Sequence, residues 1–386
     1  MFSLFFNEEK GKISILIDIQ SGLVRGALVL NKGEDKPHIL YVTTQSFTRK
    51  TYVDSTYITK TMLKSVFMVT NSIANEGMTK IQSLGYSRKL LNSIHFILSS
   101  PWVISRSKLV KIQFENETKI TEKIISDIII EEQNKLKHDF GPDLILTEQK
   151  IFEIKLNGYV VNNFEDRKAK TLEVSFATTL GSEKIINRIH QAVLKNIHIE
   201  KKYYHSALLL HFIALQSLFP RREDFISIHI HSELTDIIVV KKGICACLAS
   251  FPFGVSTLSR KISHALKHTN ETSDSILNLY GASKLENNEN QKIKKIIEPL
   301  MQVWHNQLLK SVVKNNEGKF IVPRLVYLSA HSHFDIFRSV FTLNNNEKYE
   351  VISFDTSKIE SYVVYEKVSE KSQVIGMYAL ALKNMV

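Results

Sequence analysis

The chain has 386 residues, 44% hydrophobic and 23% charged, with only 2 cysteines. That composition excludes a disordered chain and a disulfide scaffold, and it supplies apolar surface for more than one core. The 50 basic residues exceed the 39 acidic by 11, but they are scattered without aromatic interleaving, which reads as a solvated surface and not as a nucleic-acid platform.

The first elements are strands. Ile13–Ile19 is an apolar run carrying Asp18, Gln20-Ser21-Gly22 is a turn, and Leu23–Leu30 leads back; Ile39–Thr44 follows. Residues 55–84 have helical spacing, and Ile94–Ser100 is a strand stopped by Pro101. Thr121 caps a helix over 122–138, with Ile124, Ile125, Ile128 and Ile129 on one face. Strands at 148–156, 159–162 and 171–178 and a helix at 183–195 complete a compact α+β stretch, Asn157-Gly158 marking a hairpin turn.

The second half repeats the opening plan. Phe225–His231, a Ser232-Glu-Leu turn, Thr235–Val240, Lys241-Lys-Gly243 and Ile244–Phe251 again give strand, polar turn, strand, glycine turn and strand. Helices are expected at 256–268, 273–280 and 292–313, with a polar loop at 286–291. A strand covers 325–330 and a closing helix 374–382. Cys245-Ala-Cys247, on a strand, places both thiols on one side as buried structural cysteines. No Walker A, G-x-G-x-x-G or G-x-S-x-G motif is present. There is no apolar run of ~18 residues, and Met1–Phe6 lacks the flanks of a secretory signal, so a cytoplasmic protein is expected. Phe2, Leu4, Phe5 and Phe6 read as an extension of the first strand.

The order of these pieces resembles the actin-like ATPase superfamily, in its bacterial FtsA and PilM branch. Ile17-Asp-Ile-Gln-Ser-Gly-Leu-Val-Arg-Gly26 resembles the first phosphate hairpin, and His229-Ile-His-Ser-Glu-Leu-Thr-Asp236 the second. Phe251-Pro-Phe-Gly254 resembles the segment after the second hairpin, Tyr327-Leu-Ser-Ala-His-Ser332 the adenosine loop, and Gly376–Leu382 the last connecting helix. The resemblance implies a bilobal α/β fold of the duplicated ribonuclease H-like kind with an SHS2-like α+β insert. Lobe I would begin at 1–93, the insert cover 94–196, a connecting helix of lobe I 197–224, lobe II 225–373 and a closing helix 374–386.

By the same resemblance, ATP and Mg²⁺ would be held by Asp18, Gln20, Ser21, Gly22, Arg25, His231, Ser232, Thr235, Asp236, Gly254, Ser329 and Ala330. Asp18 would hold the metal, and Asp18 and Gln216 would be the catalytic residues of an active enzyme. The departures point the other way. Gln20 stands where a glycine amide approaches the phosphates, His229 replaces the Mg²⁺-positioning Asp, and His231 and Ser232 replace two glycines. Ala330-His331 replaces the adenosine-loop glycines. Side chains there fill volume meant for nucleotide, so a degenerate site is expected. His229, His231, His331 and His333 all fall on cleft turns; they read as space-filling, with a metal site as the weaker alternative. The favoured function is a cytoplasmic scaffold or adaptor at the inner face of the cell membrane. It would serve type IV pilus assembly or cell division, dock on a membrane-anchored or filament protein and self-associate. The alternative is an active, polymerising Mg-ATPase.

Overall fold

β1 (Lys12–Ile19) and β2 (Leu23–Asn31) pair antiparallel from Lys12↔Asn31 to Ile19↔Val24. β1 has seven buried residues in a row after Lys12, as a strand covered on both faces requires. β3 (His38–Ser46) extends the sheet, and α1 (Ser55–Ser72), capped by Asp54, continues through a π-helical turn at Ile73–Gly77 into α2 (Met78–Ser83). The expected helix over 55–84 is thus one continuous element with a π turn in it. This computed structural model describes residues 11–33, 35–46, 54–220, 223–316, 322–330, 332–343, 349–354, 357–368 and 370–385. The amino-terminal phenylalanines and His331 lie outside the described residues.

β4 (Leu91–Leu98) joins β1 in parallel. β5 (Val103–Lys119), α3 (Glu122–Phe140), β6 (Leu144–Leu156), β7 (Tyr159–Val160) and β8 (Lys168–Ser182) form a separate four-stranded sheet in the order β5-β8-β6-β7. Ile125, Ile128 and Ile129 of α3 cover it. α4 (Glu183–Leu194) returns to the first sheet, burying Ile186, Ile189 and Val193 in the core beneath β1 and α1. Within 94–196, then, the self-contained sheet spans 103–182, while β4 and α4 belong to the first layer. β9 (Lys202–Ser206) completes the first sheet, ordered β15-β3-β2-β1-β4-β9.

α5 (Ala207–Leu218) is buried all round from Ala207 to Leu215, which marks a core helix rather than a surface one. β10 (Phe225–Ile230), β11 (Thr235–Lys241) and β12 (Ile244–Phe251) repeat the hairpin plan. α6 (Val255–Leu266), α7 (Asn270–Gly281) and α8 (Asn287–Asn316) follow. β13 (Leu325–Ala330), α9 (Phe334–Leu343) and β14 (Glu350–Ser353) complete the second sheet, ordered β12-β11-β10-β13-β14. α10 (Ser357–Glu360) precedes β15 (Val364–Tyr365), which crosses back to β3, and α11 (Gln373–Lys383) packs on α5. These two helices share one core with both sheets, joining Leu16 and Val29 to Ile238 and Tyr327.

Three expectations are corrected. Residues 287–291 open α8 instead of forming a loop. Second, Ile230 ends β10, which puts His231 in the turn and not in the strand. Third, a register shift between Val239 and Val240 inserts Ala246 as a bulge, so Cys245 and Cys247 face opposite sides, one in the core under α5 and the other in the core under α8. Both thiols are buried, and burial pushes their pKa values up, that of Cys247 to about 12.

Candidate functional site between the two hairpins

Each hairpin closes with the same backbone bond. Gln20 N–H donates to Leu23 O at 3.0 Å, and His231 N–H donates to Leu234 O at 2.8 Å. The strand pairs then carry a polar residue on each side of the stem, Asp18↔Arg25 in the first and His229↔Asp236 in the second. Trp102 Nε1 donates to Gln20 O at 3.0 Å and fixes the first tip from behind.

The two tips touch. Glu233 N–H donates to Ser21 Oγ at 3.3 Å, and a Cβ added to Gly22 would lie 2.1 Å from Ser232 Oγ. Glycine is required there because the facing turn leaves no room for a methyl group. Gly254 is the same case, since a Cβ would lie 2.5 Å or less from the carbonyl oxygens of His231 and Ser232. Those carbonyls accept from the first amides of α6, Val255 N–H at 3.0 Å and Ser256 N–H at 2.7 Å. The positive end of the helix is therefore satisfied by protein.

A chain of side-chain bonds runs through the contact. Arg25 Nη1 and Gln20 Nε2 both donate to Asp18 Oδ2, at 3.2 and 2.8 Å. That fixes the Gln20 amide, because its nitrogen faces the acceptor; its Oε1 then faces His231 Nδ1 at 3.0 Å and accepts from it. His231 Nε2 lies 2.9 Å from Asp236 Oδ2, and Ser250 Oγ donates to Asp236 Oδ1 at 2.6 Å and meets Ser100 Oγ at 2.9 Å. Both ring nitrogens of His231 thus face acceptors, so the ring is an imidazolium against a carboxylate or shares one proton with Asp236. Asp18 is fully buried. Burial raises its pKa, opposed first by Arg25, then by His231 and the Gln20 bond. Its Oδ1 and the Nε of Arg25 have no hydrogen-bond partner.

Beside this chain lies a cavity of about 10 Å³ lined by His211, Ser227, His229, His231, Asp236 and Tyr378, among others. It has room for about one water molecule. His211 is driven down to about 4, first by burial and then by His231, and stays neutral at neutral pH. The Tyr378 hydroxyl is pushed up, chiefly by burial and then by Asp18.

The remaining expected positions divide clearly. Asp18, Gln20, Ser21, Gly22, Arg25, His231, Ser232, Asp236 and Gly254 meet at the contact just described. Ser329 bonds His229 at its margin, and Ala330 ends β13 opposite Ile230. Thr235 is committed to the core, donating to Phe253 O at 2.6 Å and accepting from Trp304 at 3.0 Å. Gln216 is elsewhere: it is exposed and donates to Gly243 O at 2.7 Å. The α5 residue that faces the cleft is His211, whose signal was a lone polar residue inside Ala207–Leu215. His333 sits apart, its Nε2 3.9 Å from Asp274. Among the described residues, no three His, Cys, Asp or Glu side chains are placed to hold a metal ion.

In comparison with solved structures, the chain aligns with a protein of a PilM-PilN type IV pilus biogenesis complex at a TM-score of 0.64, covering 96% of each chain at 12% identity. The chain has the actin-like ATPase fold. Looser matches are the ethanolamine utilization protein EutJ from Carboxydothermus hydrogenoformans (TM-score 0.40, 12% identity, 96% of this chain and 89% of that one) and a Bacteroides thetaiotaomicron protein with actin-like ATPase fold and unknown function (TM-score 0.35, 13% identity, 99% of both). No protein-family model and no curated protein matches the chain. At these identities the similarity is one of fold. Within this actin-like chain, no helix among the described residues is long and apolar enough to cross a membrane.

Proposed function

We propose that this chain is an actin-like scaffold of a membrane-linked machine, of the type IV pilus kind, that works with its nucleotide cleft closed by its own side chains. One observation carries the reading: Gln20, His231 and Ser232 meet across the gap between the hairpin tips, where an actin-like ATPase needs space for phosphates. A triphosphate would have to displace these side chains and the carbonyls that cap α6. Mg²⁺ fares no better. Asp236 engages both oxygens with His231 and Ser250, and Asp18 Oδ2 is held by a guanidinium 3.2 Å away, whose charge opposes a divalent cation.

The pilus assignment is supported by the fold shared with the PilM-PilN complex over nearly the whole chain. It implies a membrane-anchored or filament partner, a place at the cytoplasmic face of the membrane, self-association, and an SHS2-like role in docking for the sheet at 103–182. Calorimetric titration with Mg-ATP tests the closed cleft. No heat and no rise in melting temperature are expected, whereas a ligand at ~100 times its dissociation constant stabilises by about 2.7 kcal/mol. Micromolar binding, with phosphate release lost in Asp18→Ala, would establish the active ATPase instead.

A further inference from the structure

On the side of the first lobe away from the hairpin tips, a groove of about 720 Å³ runs beside β3. Its size is in the ~300–1,000 Å³ range of clefts that hold ligands. Three independent features meet in it.

The first is an open strand edge. β3 pairs with β2 as far as Ser46, but on its other side β15 covers only His38 and Ile39, with Glu366 N–H donating once more to Ile39 O. Among the described residues no strand pairs with the outer edge of β3 from 40 to 46. Backbone donors and acceptors on such an edge are a template for another strand.

The second is the π-helical turn at Ile73–Gly77, a device often found at functional positions. It carries Asn75 and Glu76 to the groove wall, and Gly77 lets it lie close to Tyr41, whose Cδ1 would be 3.2 Å from an added Cβ. The Tyr41 hydroxyl bonds Ser72 Oγ at 2.7 Å and donates to Glu76 Oε2 at 2.9 Å, so the acidic group is turned onto the floor.

The third is charge. Lys80, Arg88 and Lys367 line the groove against Glu76 alone. Lys80 Nζ donates only to a carbonyl, Lys367 O at 3.3 Å, and neither Arg88 nor Lys367 is in an ion pair among the described residues. Lys32, over the Tyr86 ring at 5.5 Å, adds to the positive field nearby.

We propose that this groove docks an extended acidic segment of a partner protein, which adds to the outer edge of β3 as a further strand. Main-chain bonds to the edge supply affinity that tolerates sequence, and carboxylates spaced two residues apart reach Lys80, Arg88 and Lys367 from one face of the added strand. A small anion would use the charges and leave the edge unpaired; a bilayer surface would not enter a groove. The proposal uses no residue of the hairpin contact, so it stands or falls separately from the closed-cleft reading.

The test is fluorescence anisotropy on the full chain with a labelled peptide of alternating Glu and Val. Three comparisons accompany it: the same peptide with Lys for Glu, the Glu peptide N-methylated at alternate backbone nitrogens, and the variant Arg88→Glu/Lys367→Glu. The Glu peptide is expected to bind with micromolar affinity that weakens with salt. The Lys peptide, the N-methylated peptide and the double variant should each lose about tenfold or more. Equal melting temperatures for variant and parent keep the loss attributable to the groove. Absence of binding, equal binding of the Lys peptide, or equal binding of the N-methylated peptide overturns the proposal. So does sedimentation with phosphatidylserine vesicles that the double variant abolishes while the peptide is ignored, which assigns the groove to lipid. If a chain starting at Gly11 binds the peptide about tenfold tighter, the groove belongs to the first ten residues of this chain and not to a partner.

Discussion

In the first hairpin Asp18 stands on the outgoing strand opposite Arg25 on the return, whereas in the second His229 stands opposite Asp236, so acid and base have exchanged strands. The turns correspond residue by residue: Gln20 matches His231, Ser21 matches Ser232, and Gly22 matches Glu233. The matched residues Gln20 and His231 are also the pair that touch across the gap. The first hairpin closes its ion pair within itself, Asp18 to Arg25. The second does not, since Asp236 bonds the turn residue His231 and reaches Ser250 on the neighbouring strand. A buried charge can thus be neutralised in its own hairpin or at an interface, and this molecule does one of each. Substitutions on either side of the gap can break that difference or sharpen it.

The largest effect is expected from Arg25→Met. Asp18 has no exposed surface, and removing its guanidinium leaves an uncompensated buried carboxylate. Loss of about 3–5 kcal/mol in urea unfolding is expected, with much of it recovered in Asp18→Asn/Arg25→Met, because removing both charges costs less than stranding one. A loss below about 1 kcal/mol would show that the first hairpin does not depend on its own pair.

Acid separates the two sides next. His211, against the second hairpin, and His95, on β4 in the first sheet, are both held down at about 4 from the usual 6.5, chiefly by burial. Their folded values lie below their unfolded ones, so the unfolded chain takes up protons first as the pH falls. Their contribution is intact above about pH 6.5 and is lost between there and about pH 4, roughly 2 kcal/mol for each at pH 5. Replacing His211 by Leu should remove one share of that slope. If urea stability is the same at pH 7 and pH 5, these rings are not held neutral as described.

How far the sequence led is clearest at these same residues. The hairpins were legible because apolar strands of period two flank turns rich in Gly and Ser, and the absence of glycine at Gln20 and His231 was visible as a departure. That the two side chains meet was not, since no local pattern encodes a contact 211 residues apart. β5 was missed because its outer half alternates Lys, Gln and Glu with partly buried residues, which reads as a polar loop. The start of α8 was hidden by Asn287, Asn288 and Asn290, poor helix formers that tertiary context carries. Gln216 was chosen for its chemistry, but the helix turns it outward and turns His211 in. The cysteines were placed by strand alternation, which the bulge at Ala246 breaks.

Gly22→Ala probes the contact itself. The added methyl group would fall 2.1 Å from Ser232 Oγ and 2.3 Å from Ser232 Cβ, so one tip must move. Overpacking of this kind costs about 1–3 kcal/mol. Ser232→Gly alone should cost less, and combined with Gly22→Ala it should restore most of the loss, a coupling expected only if the two tips touch. Additive losses would mean that the tips are apart in solution.

The smallest effect belongs to the one turn position where the hairpins differ most, Gly22 in the first and Glu233 in the second. Glu233 accepts both arms of Arg260 from α6, at 2.9 and 2.7 Å, which ties the second turn to the helix that its carbonyls cap. The first turn needs no such tie, because Trp102 holds Gln20 from behind. Arg260 is about a quarter exposed, so solvent screens the pair and its contribution to global stability is at most about 1 kcal/mol. Arg260→Lys keeps the charge and loses the two-pronged geometry. Its expected signature is therefore local: little change in urea midpoint, but faster hydrogen exchange at the amides of His231 and Glu233, with Gln20 unaffected. Faster exchange at Gln20 as well would mean that the tips open together, and that the second hairpin's tie to α6 also supports the first.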